Sequence, residues 1–267
     1  PFFLAAKSKK AQHTLKVLSQ KYNNYAIKEA NTVVVLGGDG TILSLINDEV
    51  YLKKKIFGMN RGTIGFLMNN YQTSNLIHRI STSKETKLNP VQMKVTDINN
   101  KTYNALSLNE VSLLRQNRFA ANVRVKIDNK MKINKLVCDG ILVSTPAGST
   151  AYNLSAHGPI LPLNSTLLAL TPICPFRPRR WKGALLPEKS KIALEIINPE
   201  KRPVSATAGQ VEVRNVKKVE ISYNFKKTLK LLFDKDQNLE DLTSKRTWRS
   251  YMQKDKLSEV IVLSEEK

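Results

Sequence analysis

The chain has 267 residues, 41% of them hydrophobic and 24% charged, which is the composition of an ordinary globular protein long enough for two modest domains. Lys and Arg number 43 against 22 Asp and Glu, so the formal net charge of +21 favours anionic partners, although most of this excess is explained by scattered, surface-like lysines that promote solubility. The sequence lacks the long apolar run of a transmembrane helix and the basic-then-apolar start of a signal peptide, so we expect a cytoplasmic protein without a membrane partner.

Cysteine and histidine are too sparse for a disulfide framework or a zinc site. The chain has two cysteines, Cys138 and Cys174, and its three histidines are far apart in sequence. We interpret both cysteines as reduced, buried thiols.

Helix and strand signals alternate in the first third of the chain. Short apolar or β-branched runs at 2–6, 32–36 and 55–59 predict buried strands, and 11–22 and 41–51 predict the helices between them. This β-α-β-α-β order predicts an α/β domain over residues 1–98 with a Rossmann-like open sheet.

The character of the sequence changes near residue 88. Short segments rich in Val and Ile, broken by Asn, Asp, Gly and Pro, follow at 92–98, 101–106, 110–114, 122–127, 131–137, 141–144, 191–197 and 218–223. They predict a β-rich, sandwich-like domain over residues 99–233, with one helix after Ser149. The charged tail, 234–267, is predicted to form a helix and a final strand at 260–263 that returns to the first domain.

A glycine-rich turn between a predicted strand and helix is the sharpest local motif, Gly37-Gly38-Asp39-Gly40-Thr41. Glycine allows a ligand to approach the backbone closely, and such turns suit phosphate. A carboxylate there repels phosphate unless Asp39 acts as a base or shares a metal ion with the phosphates. Asp39 as the N-cap of the following helix is the equally weighted alternative.

Two further polar segments interrupt the β-rich part. Asp139-Gly140 precedes a run of small and hydroxyl residues from Ser144 to Tyr152, which favours a ligand surface over a simple helix start. Asn109-Glu110 lies within an apolar stretch and, taken alone, is typical of an exposed hairpin edge.

In this order, Gly37-Gly38-Asp39-Gly40-Thr41, Asn109-Glu110 and Asp139-Gly140 through Ser149-Thr150-Ala151-Tyr152 resemble the signature set of the NAD kinase family. Ser155-Ala156-His157-Gly158-Pro159-Ile160 and Thr171-Pro172-Ile173 with Arg177-Pro178 extend the resemblance over roughly residues 32–215. The first motif is shared with diacylglycerol and sphingosine kinases, whereas the Asn-Glu pair followed by the Ser-Thr-Pro segment is much more specific.

The resemblance implies an enzyme that uses ATP and a divalent metal, expected to be Mg²⁺, to phosphorylate the adenosine-ribose 2′-hydroxyl of NAD and form NADP. It implies an active site between the two domains and a homodimer or homotetramer, and it leaves the metal ligands unassigned. Asp39 matches the catalytic base, and Gly37, Gly38, Gly40 and Thr41 match the phosphate loop. The residues that match NAD contacts are Phe66, Asn109, Glu110, Asp139, Thr150, Ala151 and Tyr152.

The chain departs from the family pattern at two places. Where many members carry Gly-Gly-Pro, this chain has His157-Gly158-Pro159. The late segment Ala206-Thr207-Ala208-Gly209-Gln210 lacks the acidic residue that is frequent in the family. That contact is therefore not carried over to this chain.

Two alternatives remain open at this point. A lipid kinase of the diacylglycerol or sphingosine type would share the glycine loop, but the Ser144–Tyr152 run counts against it, as does the lack of a membrane-binding stripe. A nucleic-acid-binding protein would explain the charge, with Arg177, Arg179, Arg180 and Lys182 around Trp181 as its contact surface. We expect that cluster to be a solvated loop or a subunit contact.

Overall fold

The computed structural model describes residues 1–63 and 65–236, so the helix and the strand expected beyond residue 236 lie outside the described residues. The first part of the chain forms β1 (Phe2–Ala5), α1 (Lys9–Lys21), β2 (Thr32–Gly37), α2 (Asp39–Ser44), a 3-10 turn (Leu45–Asn47), α3 (Glu49–Leu52), β3 (Lys55–Asn60), α4 (Leu76–Thr82) and β4 (Lys84–Leu88). The remainder forms β5 (Val91–Asp97), β6 (Thr102–Ser107), β7 (Glu110–Arg115), β8 (Ala121–Ile127), β9 (Lys130–Cys138), β10 (Gly140–Ser144), α5 (Tyr152–Ser155), β11 (Leu167–Ile173), β12 (Ala184–Pro187), β13 (Ile192–Ile196), β14 (Val204–Ala208), β15 (Val211–Val213), β16 (Val216–Tyr223) and β17 (Leu229–Phe233).

A five-stranded, mostly parallel sheet organises the first domain in the order β1-β2-β3-β17-β4. β2 lies between β1 and β3, and its Val33 and Val35 pack into one apolar cluster while Val34 and Leu36 pack into another on the opposite face. Because both faces are covered, the strand is an unbroken apolar run. The carboxyl ends of β1, β2, β3 and β17 therefore meet at one edge, where ligands of open α/β sheets bind.

The prediction of one continuous helix over 41–51 is wrong, because the structure has two short helices there with a 3-10 turn between them. α2 ends at Ser44, a 3-10 turn follows, and α3 starts at Glu49. The break occurs because the side chain of Asp48 accepts a hydrogen bond from the N–H of Val50 at 2.9 Å and so starts a new helix as its N-cap.

Two six-stranded antiparallel sheets form the β-rich part, in the orders β12-β11-β10-β7-β14-β15 and β6-β5-β16-β13-β8-β9. Alternate residues of each strand face a shared apolar core; in β5 these are Val91, Met93 and Val95. Apolar residues that alternate along short strands are typical of a sandwich. The predicted fold class, an α/β domain followed by a β sandwich, is confirmed.

Two strands belong to the sheet of the other domain from the one in whose predicted range they lie. β5, within the range 1–98, pairs with β6 and β16 in the sandwich, and β17, within the range 99–233, pairs with β3 and β4 in the first sheet. The return to the first domain is thus made before residue 234, because the apolar side chains of Leu229, Leu231 and Phe233 complete the core of the first sheet.

Cys138 is buried, as predicted, but Cys174 is exposed and the prediction of two buried thiols is wrong for it. Cys174 follows the end of β11 in a turn with a φ of 47°, which carries it out of the core. Within the described part of the chain, no helix is long and apolar enough to cross a membrane.

Candidate active site

The glycine-rich turn joins β2 to α2 at the carboxyl edge of the first sheet. β2 ends at Gly37, Gly38 is the N-cap of α2, and the N–H of Thr41 donates to the carbonyl of Gly38 at 2.9 Å. A Cβ on Gly37 would lie 2.4 Å from Oγ1 of Thr41 and 3.1 Å from its Cβ, so any other residue here would displace the Thr41 side chain. The predicted phosphate loop thus has the sharp strand-to-helix geometry that its glycines indicate.

The carboxylate of Asp39 is held by backbone N–H groups from a distant loop. Oδ2 accepts from the N–H of Phe66 and Oδ1 from that of Leu67, each at 2.8 Å. The N-cap alternative for Asp39 is therefore wrong, because Gly38 occupies the cap and the carboxylate points away from its own helix. These hydrogen bonds fix the orientation of the carboxylate and place Phe66 beside the phosphate loop.

A pocket of about 170 Å³ opens beside this loop where the two domains meet. Its lining comes from α2 and the following turn, from the β6–β7 turn, and from the β14–β15 hairpin: Gly40, Leu43, Ser44, Asn47, Leu106, Ser107, Leu108, Asn109, Glu110, Ser112, Thr207, Gly209 and Gln210. Gly40 and the Asn109-Glu110 pair, which are 69 residues or more apart in sequence, are thus brought to one pocket. Asn109-Glu110 is not the exposed hairpin edge that it would suggest in isolation.

Glu110 carries an unusual carboxyl group. Its Oε2 atom is buried and has no hydrogen-bond partner among the described residues, and burial raises the pKa of Glu110 to about 7. An unsatisfied buried acceptor favours a ligand that brings a donor such as a ribose hydroxyl. The backbone N–H groups of Asn109 and Glu110 both point at Oγ of Ser107 at 3.3 Å, which holds the pair at the pocket wall.

The small-residue segment packs directly against Asn109. The N–H of Thr145 donates to the carbonyl of Asn109 at 2.8 Å, and a Cβ on Gly148 would lie 2.2 Å from the same oxygen. Asn153 is fully buried, donates to the carbonyl groups of Ser149 and Pro159, and accepts from the hydroxyl of Thr171 at 2.7 Å. Part of this segment is therefore scaffold that shapes the site.

Thr150, Ala151 and Tyr152 form the accessible part of the same segment. Ala151 is the N-cap of the short helix α5, and all three residues are half-buried. Burial raises the pKa of Tyr152, and the neighbouring Cys174 and Glu110 raise it further, which places the phenol within electrostatic reach of Glu110. These three predicted contacts lie on the Glu110 side of the site.

Asp139 lies at the opposite end of the β7–β10 strand pair from Glu110. In the β7–β10 pairing, Glu110 lies opposite Ser144, whereas Arg115 and Asp139 interact at the other end. Along β7, the five residue steps from Glu110 to Arg115 span about 17 Å. The carboxylate of Asp139 forms an ion pair with Arg115, so within one chain it could meet only the far end of an extended ligand.

Several pocket residues were not predicted from the sequence. Ser107 and the β14–β15 residues Thr207 and Gln210 belong to it, and the only signal for the hairpin was the departure noted at residues 206–210. The other departure has a visible cost, because His157 adopts a φ of 61°, a left-handed conformation that glycine adopts without strain.

The site fits a metal ion shared with phosphate better than one held by protein alone. Among residues 1–63 and 65–236, no group of three or more His, Cys, Asp or Glu side chains is placed to hold an ion. Mg²⁺ usually binds through one or two carboxylates together with water and substrate phosphates. Asp39, at the phosphate loop, is the carboxylate that suits such a shared ion.

Comparisons with known proteins agree with this geometry. Models described as the ATP-NAD kinase N-terminal and C-terminal domains match residues 4–87 and 108–244. The chain is 45% identical to the NAD kinase of Hyphomonas neptunium over 90% of its length and 94% of that protein. It is 48% identical to the NAD kinase of Rickettsia rickettsii (strain Sheila Smith) over 84% of its length and 88% of that protein.

Two solved structures share the fold. The NAD kinase from Archaeoglobus fulgidus in complex with ATP superimposes with a TM-score of 0.70 at 23% identity, covering 92% of this chain and 98% of that one. Yeast NADH kinase complexed with NADH gives 0.68 at 20% identity, covering 86% of this chain and 73% of that one. At these identities the similarity supports the architecture.

Proposed function

The chain belongs to the NAD kinase family, and on that premise we propose that it transfers the terminal phosphoryl group of ATP to the adenosine-ribose 2′-hydroxyl of NAD, forming NADP. The observation that carries the proposal is the meeting of the Gly37–Thr41 loop and Glu110 at one pocket. The comparisons support neither the lipid kinase nor the nucleic-acid-binding alternative.

Asp39 acts as the base in this proposal. The ribose oxygen attacks the γ-phosphorus of ATP, its proton passes to the carboxylate of Asp39, and the bond from γ-phosphorus to the bridging oxygen breaks to release ADP. The N–H groups of Phe66 and Leu67 hold the carboxylate in a fixed orientation, so little reorganisation is needed when the hydroxyl arrives. Gly37, Gly38, Gly40 and Thr41 would form the wall that the phosphates approach.

The NAD side of the proposed site is the pocket wall opposite the loop. Asn109 and Glu110 would accept and donate hydrogen bonds to the nucleoside, with the Oε2 atom of Glu110 gaining the partner it lacks among the described residues. Thr150, Ala151 and Tyr152 lie on the same side, and Phe66 lies beside Asp39. Asp139 would contribute only at the far end of the dinucleotide.

A divalent metal, which we propose to be Mg²⁺, would be held between Asp39 and the phosphates of ATP. Such an ion neutralises charge on the transferred phosphoryl group. Asp39 would then serve as acceptor of the proton and as neighbour of the ion.

We propose a cytoplasmic homo-oligomer, a dimer or a tetramer. Cys138 and Cys174 are both free thiols, which suits a reducing compartment. β12 and β15 are the edge strands of one sandwich sheet and expose Leu185 and Val211 at 50% and 41%, and apolar side chains on an open edge are suited to burial by a second copy. Sedimentation equilibrium would test the oligomer, and a monomer at all concentrations would contradict it.

An activity assay tests the main proposal. The purified protein is incubated with ATP and Mg²⁺ and with NAD, diacylglycerol or sphingosine in separate reactions. We expect NADP in the first reaction and no phosphorylated lipid in the others. A phosphorylated lipid together with no NADP would contradict the proposed function.

A further inference from the structure

Arg61 is attached through its backbone to the phosphate loop. It follows β3, whose carboxyl end lies beside that of β2, and its N–H donates to the carbonyl of Gly37 at 2.7 Å. The N–H of Gly62 donates to the same oxygen at 3.1 Å, and a Cβ on Gly62 would lie 3.2 Å from Cα of Gly38. The position of Arg61 is therefore coupled to the glycine turn.

The guanidinium of Arg61 lies against an aromatic ring and has spare donors. Its central carbon is 3.9 Å from the centroid of the Tyr71 ring, and its buried Nε atom has no hydrogen-bond partner among the described residues. Arg79 and Arg115, by contrast, are paired with Asp234 and Asp139. A planar guanidinium that stacks on a ring keeps its edge, with five N–H donors in total, available for a phosphate.

A positively charged side chain near the Gly37–Thr41 loop would balance the negative charge of Asp39 and the triphosphate. Asp39 places a carboxylate where the triphosphate of ATP must approach, and like charges at short distance repel strongly in a partly buried site. α2 is only six residues long, so its dipole compensates little. A fixed cation on the neighbouring loop would offset the repulsion without touching the pocket that holds Glu110.

We propose that Arg61 binds the β,γ end of the ATP triphosphate, with Tyr71 as the platform that orients the guanidinium. This assignment rests on the proposed use of ATP at the Gly37–Thr41 loop. The same chemistry could recognise the pyrophosphate of NAD, and the kinetic constants for the two substrates distinguish these sources.

The test compares Arg61→Ala and Arg61→Lys with the control Arg118→Ala. Arg118 lies 5.3 Å over the ring of Phe119 in the loop between β7 and β8, so its removal also deletes a stacked guanidinium, but in the sandwich. We measure the KM values for ATP and NAD, the Kd of a fluorescent ATP analogue with Mg²⁺ in the absence of NAD, and the thermal midpoint.

In Arg61→Ala we expect the KM for ATP and the Kd of the analogue to rise by about 10- to 100-fold, the loss typical of charge-assisted hydrogen bonds, with the KM for NAD unchanged. Arg61→Lys keeps the positive charge but loses the planar guanidinium that can donate two hydrogen bonds to one phosphate, so its KM for ATP should lie between those of the wild type and Arg61→Ala. Arg118→Ala should match the wild type.

Unchanged ATP affinity in folded Arg61→Ala or Arg61→Lys protein would overturn the assignment, and so would a rise in the KM for NAD alone. If the wild type forms no NADP, the proposed function fails. The analogue-binding measurement still decides whether Arg61 holds the triphosphate.

Discussion

At the scale of single residues, Asp39 combines two roles that a substitution separates only in part. Asp39→Asn should lower turnover by about 10²- to 10⁴-fold because the amide cannot take the proton. It should also cost about 1–3 kcal/mol of stability, because its NH₂ group would face one of the two N–H groups that the carboxylate now accepts. Turnover and the free energy of unfolding are measured on the same preparation.

Asp97→Asn is the matched control. The buried carboxylate of Asp97 accepts hydrogen bonds from the N–H of Lys101 and the hydroxyl of Tyr103, far from the phosphate loop. It should lose similar stability and keep its turnover. Near-normal turnover in Asp39→Asn would show that Asp39 only orders the 61–67 loop.

The pH dependence of stability is the second prediction at this scale. Because burial raises the pKa of Glu110 from its ordinary 4.5 to about 7, the native protein keeps a proton there that the unfolded chain releases. Stability therefore falls as pH rises from about 4.5 to about 7, and the difference corresponds to at most about 3 kcal/mol.

Glu110→Gln removes that titration. Denaturant unfolding at pH 4 and pH 8 should show a variant equal to the wild type at the lower pH and more stable at the higher pH. Glu212→Gln, on the exposed strand β15, should match the wild type at both. No stability gain at pH 8 would mean that the Glu110 carboxyl is better solvated than its burial indicates.

At the scale of elements, the glycines of the site differ in what surrounds them. A Cβ on Gly40, in the first turn of α2, meets no atom within 4 Å, whereas one on Gly148 meets the backbone of Asn109 at 2.2 Å. Gly40→Ala should keep or slightly raise stability through helix propensity, by up to about 1 kcal/mol, yet lower turnover because the methyl occupies the substrate's approach. Thermal midpoint and initial rate are compared.

Gly148→Ala should have the opposite effect from Gly40→Ala: it should lower the thermal midpoint, and any loss of turnover should follow from that loss of stability. Its backbone clash pushes the 144–152 segment off Asn109. Full activity in Gly40→Ala would place the phosphates away from this turn.

The strands that the sequence predicts share a simple environment. β2 is covered on both faces and is therefore an unbroken apolar run, whereas β5 is covered on one face and alternates between buried and less buried residues. These patterns identify both strands in the sequence. β11 was not predicted because Pro172 argues against a strand. In the structure Pro172 lies beyond Leu170, the last β11 residue that has a partner in β12. β17 was missed because its place between β3 and β4 depends on a contact more than 140 residues away in sequence.

At the scale of the whole molecule, the candidate site forms where the first domain and the β-rich part are in contact. Leu106, Leu108 and Ala147 of the β-rich part pack against the core of the first sheet, and this contact brings the Asn109-Glu110 turn to α2. Motif chemistry predicted both ends of the site from sequence. Periodicity could not predict their distance, nor the separation of Asp139 from Glu110, because both depend on strand pairing across the sandwich.

The position of the transferred phosphoryl group decides whether the protein phosphorylates the 2′-hydroxyl of NAD. ATP labelled in its γ-phosphate is incubated with the purified protein, Mg²⁺ and NAD, and the labelled product is isolated and its phosphate located by phosphorus–proton NMR. We expect the label on the adenosine-ribose 2′-oxygen of NAD. Label on another hydroxyl, or release only as inorganic phosphate, would contradict it.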